Sequence, residues 1–254
     1  MRTLVKDRWL RRFRDGDECS TKLICFPHAG GWASAYRTWP ANLPADVGVL
    51  GVRYPGREDR IGDPFPSRLE SLADDLADAL DHLAGQRLVL FGHSLGASVA
   101  HEVAIRLQQR GFPPAALCVS ARLSPRSLAS QPRLVVTDDE LVEEIVRHDA
   151  SRREVFEDLE LREFALPAIR ADLELVNDYR GCRGPVLNCP VYGYVGADDP
   201  AISKEQMRGW ADVTRGAFRL RVFPGGHFYL RTSEAHLLTD MAEAWSPGGR
   251  HGFS

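Results

Sequence analysis

Six short apolar runs rich in Val, Leu and Ile punctuate the chain: Lys22–Pro27, Val47–Tyr54, Arg87–Gly92, Ala115–Ala121, Pro190–Gly196 and Phe218–Phe223. They read as buried parallel strands. Between them Leu69, Leu72, Leu76, Leu80 and Leu83 share one helical face, and Val99, Val103, Ala104 and Leu107 share another that stops at Gly111. Strand followed by helix, repeated, predicts an α/β fold built on a doubly wound, mostly parallel sheet.

One interval breaks the rhythm. The 68 residues between Ala121 and Pro190 are too many for a single crossover helix. They carry Leu141, Val142, Ile145 and Val146, then Val155, Phe156, Leu159, Phe164, Ile169, Leu173, Val176 and Tyr179 at helical spacings, with Pro167 as an expected break. The expectation is one domain over residues 1–254 with a helical insertion at about 122–183, placed as a lid over the ligand crevice of the sheet rather than as extra core packing. Met1–Thr21 and the Gly-rich Ser246–Ser254 are expected to be frayed ends.

Composition narrows the class of function. Of 254 residues, 44% are hydrophobic and 26% charged, the profile of a soluble globular protein, and the formal net charge of −3 gives no global field for nucleic acid or an anionic membrane. Cys19, Cys25, Cys118, Cys182 and Cys189 are odd in number and form no C-x-x-C pair, which suits reduced thiols and a cytoplasmic setting better than disulfides or zinc. The basic run Lys6, Arg8, Arg11, Arg12 and Arg14 within Met1–Asp17 has no apolar stretch behind it, so it is read as a solvated, partly helical face and not as a signal peptide.

The strongest chemical signal is Gly92-His93-Ser94-Leu95-Gly96, which leaves a predicted strand and opens a predicted helix. A G-x-S-x-G sequence in that context places a serine on a sharp strand-to-helix turn, with small neighbours where helix and strand crowd together. The N–H of Leu95, at the helix start, points to where an oxyanion would form. A serine nucleophile needs a base and an acid downstream, in the order Ser, acid, His. Among the downstream histidines His101, His148, His227, His236 and His251, His227 follows the last strand in a Gly-rich loop and is the candidate base. Asp198 and Asp199, just past the strand Pro190–Gly196, compete as the acid, and residue physics favours neither strongly. The loop Phe26-Pro27-His28-Ala29-Gly30-Gly31 offers the Ala29 N–H as second oxyanion donor, with His28 bracing the loop. That loop lacks the spacing and the lysine of nucleotide-binding loops, and no metal-ligand spacing is found.

Taken together the sequence resembles the type II thioesterases, the stand-alone editing enzymes of polyketide synthases and nonribosomal peptide synthetases. The resemblance covers nearly the whole chain. It rests on Cys25–Gly31, Tyr54-Pro55-Gly56-Arg57-Glu58, Gly92–Gly96, Leu166-Pro167-Ala168-Ile169-Arg170-Ala171-Asp172, Gly196-Ala197-Asp198-Asp199-Pro200 and Gly225-Gly226-His227-Phe228. It implies an α/β-hydrolase fold and assigns the acid to Asp199, giving the triad Ser94, Asp199 and His227 with the N–H groups of Ala29 and Leu95 as oxyanion hole. It further implies hydrolysis of acyl thioesters held on the phosphopantetheine arm of an acyl or peptidyl carrier protein, with no cofactor and no metal. Arg122, Arg126 and Arg133 are the arginines expected to steer an acidic carrier. Two rival readings stay open: a carboxylesterase or lipase acting on free esters, and an α/β-hydrolase fold used only for binding.

Overall fold

The computed structural model of the chain describes residues 8–133, 137–148, 153–181 and 186–246. Lys6, Cys182 and His251, and with them parts of the expected lid and of both expected frayed ends, lie outside the described residues.

The six apolar runs and one further strand, β1 Leu10–Arg14, form a seven-stranded sheet in the order β1-β3-β2-β4-β5-β6-β7, with β2 Thr21–Phe26, β3 Val47–Val52, β4 Arg87–His93, β5 Ala116–Ser120, β6 Val191–Gly196 and β7 Phe218–Phe223. Those six are parallel to one another. Every residue of β2, β3, β5 and β6 is buried, the physical reason that these strands read as unbroken apolar stretches. The edge strand β7 is half-exposed, and Arg219 and Arg221 keep its outer side polar.

The first strand, β1 Leu10–Arg14, corrects the expectation of a frayed N-terminus over these residues, while Arg8 and Trp9 just before it are helical. It pairs antiparallel with β3 in the register Leu10 with Val52 and Arg12 with Leu50. Trp9 and Leu10 are buried, and the Arg60 guanidinium lies 3.9 Å over the Trp9 ring. Two apolar side chains at the head of a basic run are enough to dock it on an otherwise open sheet edge, with Arg11 and Arg12 exposed and Arg14 donating to the Val47 and Pro40 oxygens.

Helices α1 Leu69–Leu80 and α2 Leu95–Gln109 cover one face of the sheet, and α9 Glu234–Trp245 covers the other. Between β5 and β6 lie α3 Pro125–Leu128, α4 Asp138–His148, α5 Arg153–Glu157 and α6 Leu159–Asp178. Leu141, Phe156 and Ile169 form a small apolar cluster of their own there. Asp138 and Asp139 of α4 pair with Arg170 and Arg162 of α6. Pro167 does not break the helix as expected; it sits inside α6. A single proline removes one backbone bond, and the N-cap of Asp158 on the Leu161 N–H together with buried Ile169, Asp172 and Leu175 holds the helix on both sides of it. The short helices α7 Lys204–Met207 and α8 Tyr229–Thr232 follow β6 and β7.

Chain order runs outward from β2 to β3 and then back across to β4, so the sheet changes direction between β2 and β4. In sheets of this kind the carboxyl ends of the strands at that reversal form the ligand crevice. Phe26 and His93, the last residues of β2 and β4, therefore border that crevice.

Candidate active site

Chain direction changes abruptly at Ser94, which has φ 53° and ψ −121° and lies between the end of β4 and the first residue of α2. A left-handed serine costs about 1–3 kcal/mol and persists only where its surroundings enforce it. They do: the Ser94 N–H donates to the Ser120 oxygen at 2.8 Å, and a Cβ on Gly92 would lie 2.1 Å from the Gly96 oxygen. A Cβ on Gly96 would lie 2.0 Å from the Phe26 oxygen, so α2 starts directly against the end of β2. The spacing Gly92, Ser94, Gly96 is thus a packing requirement of this corner. As first residue of α2, Leu95 has an N–H without an acceptor in the helix.

On the loop after β7, His227 turns Nδ1 toward Asp199, 2.8 Å from Oδ2. The other oxygen, Oδ1, accepts the N–H groups of Ala201 at 2.9 Å and Ile202 at 3.3 Å. The Asp199 side chain is fully buried and that of His227 11% exposed. Burial pushes the Asp199 carboxyl up, but the His227 hydrogen bond and charge and the two N–H donors outweigh it and hold it below its ordinary value. Asp198 is exposed and does not meet the histidine. The choice between the two, open to residue physics alone, comes down to which one the turn after β6 directs inward.

The other histidines lie apart. His101 is buried edge-on to Trp210, at 5.5 Å between ring centroids, His236 is exposed on α9, and His148 belongs to α4. Ala29 lies in the loop after β2, and its N–H enters no hydrogen bond among the described residues. His28 packs edge-on against Phe228 at 4.9 Å. Among the described residues no group of three or more His, Cys, Asp or Glu side chains is placed to hold a metal ion.

One feature of the site escaped sequence reasoning. His93 and His227 have ring centroids 5.0 Å apart, and His93 Nδ1 lies 2.9 Å from Ser120 Oγ, itself 2.7 Å from the Tyr229 hydroxyl. Burial, then the neighbouring His227, His28 and Arg231, press the His93 imidazole well below its usual range, so it stays neutral. Ser120 ends a strand with no motif around it, and its meeting with His93 is made only by the β4–β5 register.

Beside these groups a cavity of about 650 Å³ runs between the insertion and the β2 loop, touching His28, His93 and Phe228 at one end and Trp32, Phe164 and Ile169 along its walls. Its apolar lining suits an acyl chain or another uncharged group.

The fold and this corner define an α/β-hydrolase of the serine type. The thioesterase domain family matches residues 21–245, and the chain belongs to that family. It is 38% identical over 239 residues to Thioesterase PikA5 of Streptomyces venezuelae, covering 92% of this chain and 84% of that protein. It is also 38% identical over 240 residues to the probable cadicidin biosynthesis thioesterase of Streptomyces griseus, covering 94% of this chain and 66% of that protein's length. Among solved structures, the type II thioesterase BorB from the borrelidin biosynthetic cluster superposes with a TM-score of 0.85 at 39% identity, covering 94% of this chain and 98% of that one. The protein is a type II thioesterase, an editing enzyme of polyketide or nonribosomal peptide assembly.

Proposed function

We propose that the chain frees acyl groups held as thioesters on the phosphopantetheine arm of an acyl or peptidyl carrier protein, with Ser94, His227 and Asp199 as its triad. The observation that carries this reading is the 2.8 Å contact of His227 Nδ1 with buried Asp199, with the His227 ring 5.0 Å from that of His93, the residue before a serine held at positive φ. With Nδ1–H donated to Asp199, Nε2 is the basic nitrogen. His227 takes the Ser94 hydroxyl proton as Oγ attacks the thioester carbon. The resulting oxyanion is received by the N–H groups of Leu95 and Ala29. The tetrahedral centre collapses, His227 gives its proton to the departing pantetheine sulfur, and an acyl-Ser94 ester remains. Water, deprotonated by His227, attacks that ester, the second tetrahedral centre collapses with His227 returning the proton to the departing Ser94 Oγ, and the carboxylic acid is released. Side chains, backbone N–H groups and water carry every step.

The Ser120–His93 contact is a poor rival for this role. Ser120 is fully buried and its oxygen is taken by both His93 and Tyr229, leaving no approach for a carbonyl.

In this reading α4, α5 and the first part of α6 are a lid over the cavity. Of the arginines expected to steer the carrier, Arg122 is not available: Nε donates to Ser98 Oγ at 2.9 Å, and the backbone oxygen takes the Trp210 indole N–H at 2.7 Å. Arg126 and Arg133 are exposed but face Asp212 and Asp178, at 3.6 and 2.7 Å. A cytoplasmic setting goes with the reading, since Cys19, Cys25, Cys118 and Cys189 are free and buried; no described helix is long and apolar enough to cross a membrane.

The test is mass spectrometry of a panel of acyl-loaded carrier proteins exposed to the enzyme and to Ser94→Ala. The expected result is loss of the acyl mass with the enzyme alone and an acyl adduct on Ser94. Turnover of free long-chain oxygen esters in preference to carriers would favour a general esterase, and wild-type turnover by Ser94→Ala would end the proposal.

A further inference from the structure

Two of the motifs that carry the family resemblance, around Arg57 and around Asp172, have no part in the acyl-transfer steps above. The fold brings them together, from 115 residues apart, against the loop that holds Ala29. Their side chains are 3% and 2% exposed and form a two-pronged pair, Arg57 Nη1 to Asp172 Oδ2 at 2.7 Å and Nη2 to Oδ1 at 2.8 Å. Asp172 Oδ2 also accepts the Gly30 N–H at 2.7 Å, and Arg57 Nη1 reaches the Gly31 oxygen at 3.4 Å.

The rest of the loop is tied as well. The Phe26 oxygen accepts from the Tyr36 hydroxyl at 2.9 Å and the Pro27 oxygen from the Tyr54 hydroxyl at 3.2 Å. His28 to Gly31 is a tight turn, closed by the Gly31 N–H on the His28 oxygen at 2.8 Å. Gly30, third in the turn, has φ +67°, and a Cβ there would lie 2.6 Å from Ile169 Cγ1 of α6. In the trans peptide between His28 and Ala29 the C=O and the N–H point opposite ways. With the His28 oxygen drawn into the turn, the Ala29 N–H faces out of it, and among the described residues it meets no acceptor.

An ion pair is a weak device for stability here, because apolar replacements of buried pairs are often neutral or better. Its planar, two-pronged geometry is suited to fixing direction. We propose that Asp172, held in place by Arg57, is a positioning residue that pins the Gly30 peptide and so aims the Ala29 N–H at the acyl oxygen. The later part of α6 is then a fixed wall of the oxyanion hole, while only the part before Pro167 belongs to the moving lid. This rests on the reading of Ala29 as oxyanion donor.

The test compares R57M/D172L, which removes both charges and the Gly30 acceptor, with R57M/D172N, which keeps an acceptor oxygen for Gly30. On an acyl-N-acetylcysteamine thioester, kcat for R57M/D172L should fall about 10²-fold with KM little changed, the size of a lost oxyanion donor. R57M/D172N should recover most of that loss, and the NMR titration of His227 should be the same in all three proteins. Wild-type kcat in R57M/D172L, or equal losses in the two variants, would overturn the proposal. Amide exchange of the unaltered enzyme gives a test independent of variant folding: the Gly30 N–H should exchange far more slowly than the Ala29 N–H, and equal rates would overturn it. Replacing the His28–Ala29 amide by an ester, through the hydroxy-acid analogue of alanine, tests the underlying reading. An unchanged kcat there removes Ala29 as donor, whereas a loss there with none in R57M/D172L removes the Asp172 proposal alone.

Discussion

His227 Nδ1 lies 2.8 Å from Asp199 Oδ2, and the opposite oxygen of the same carboxylate is fixed by two backbone N–H groups. The carboxylate is therefore tied at both oxygens, and as an acceptor it favours the imidazole tautomer that carries its proton on Nδ1. Asp199→Asn should keep this geometry but favour the wrong tautomer, lowering kcat by about 10⁴-fold, while Asp198→Asn should change it little. Steady-state kinetics of the two variants check this; reversed magnitudes would move the acid to Asp198.

The corner at Ser94 tolerates no added carbon. Gly96→Ala places a methyl 2.0 Å from the Phe26 oxygen and 2.6 Å from the Pro27 oxygen, both backbone atoms that cannot step aside. The expected outcome is loss of about 3 kcal/mol, at the upper end of overpacking, together with loss of acylation. Urea unfolding and fluorophosphonate labelling measure the two effects.

Burial lowers the His101 imidazole from 6.5 to about 4. Between those values the unfolded chain binds a proton that the folded protein does not, so stability rises with pH. The contribution is fully present above pH 6.5 and is lost as pH falls toward 4, amounting to about 3 kcal/mol at most. His101→Leu should flatten that part of the stability curve, measured as urea midpoints from pH 7 to 4. An unchanged slope would assign it to other groups, His93 first among them.

Hydrogen exchange should show α4, α5 and the part of α6 before Pro167 opening at lower free energy than α2, which starts just after Ser94. The stretch from Ile169 to Leu175 should exchange slowly, because Asp172 is bound to Arg57 and Gly30. Equal protection throughout the insertion would mean static packing instead of a lid.

For a given acyl group, kcat/KM on a carrier protein should exceed that on a short thiol, because contacts remote from the carbonyl align it with Ser94. The advantage should shrink with salt if charges guide docking. Helix α4 displays Asp138, Asp139, Glu140, Glu143 and Glu144, so an acidic carrier would be repelled there. Replacing Glu143 and Glu144 by Gln should raise kcat/KM on the carrier and leave the short thioester unaffected.

What could be read from the residues alone was whatever local pattern encodes. Mostly apolar runs marked the six parallel strands because burial on both faces of the inner ones leaves little room for polar side chains, β7 with Arg219 and Arg221 being the half-exposed edge. Gly92, Ser94 and Gly96 marked the elbow because their spacing is dictated by contacts between adjacent elements. Trp9 and Leu10 were too few to signal β1, whose pairing with β3 depends on an edge formed by distant residues. Pro167 looked like a helix end, since sequence shows the missing N–H but not the packing that outweighs it. Asp199 over Asp198 was legible only through the family resemblance, since residue physics left the two open, whereas the chain from Tyr229 through Ser120 to His93 and the meeting of Arg57, Asp172 and Gly30 were decided by tertiary structure. Each depends on the direction of a side chain across a gap in sequence, and strand register and helix docking set that direction.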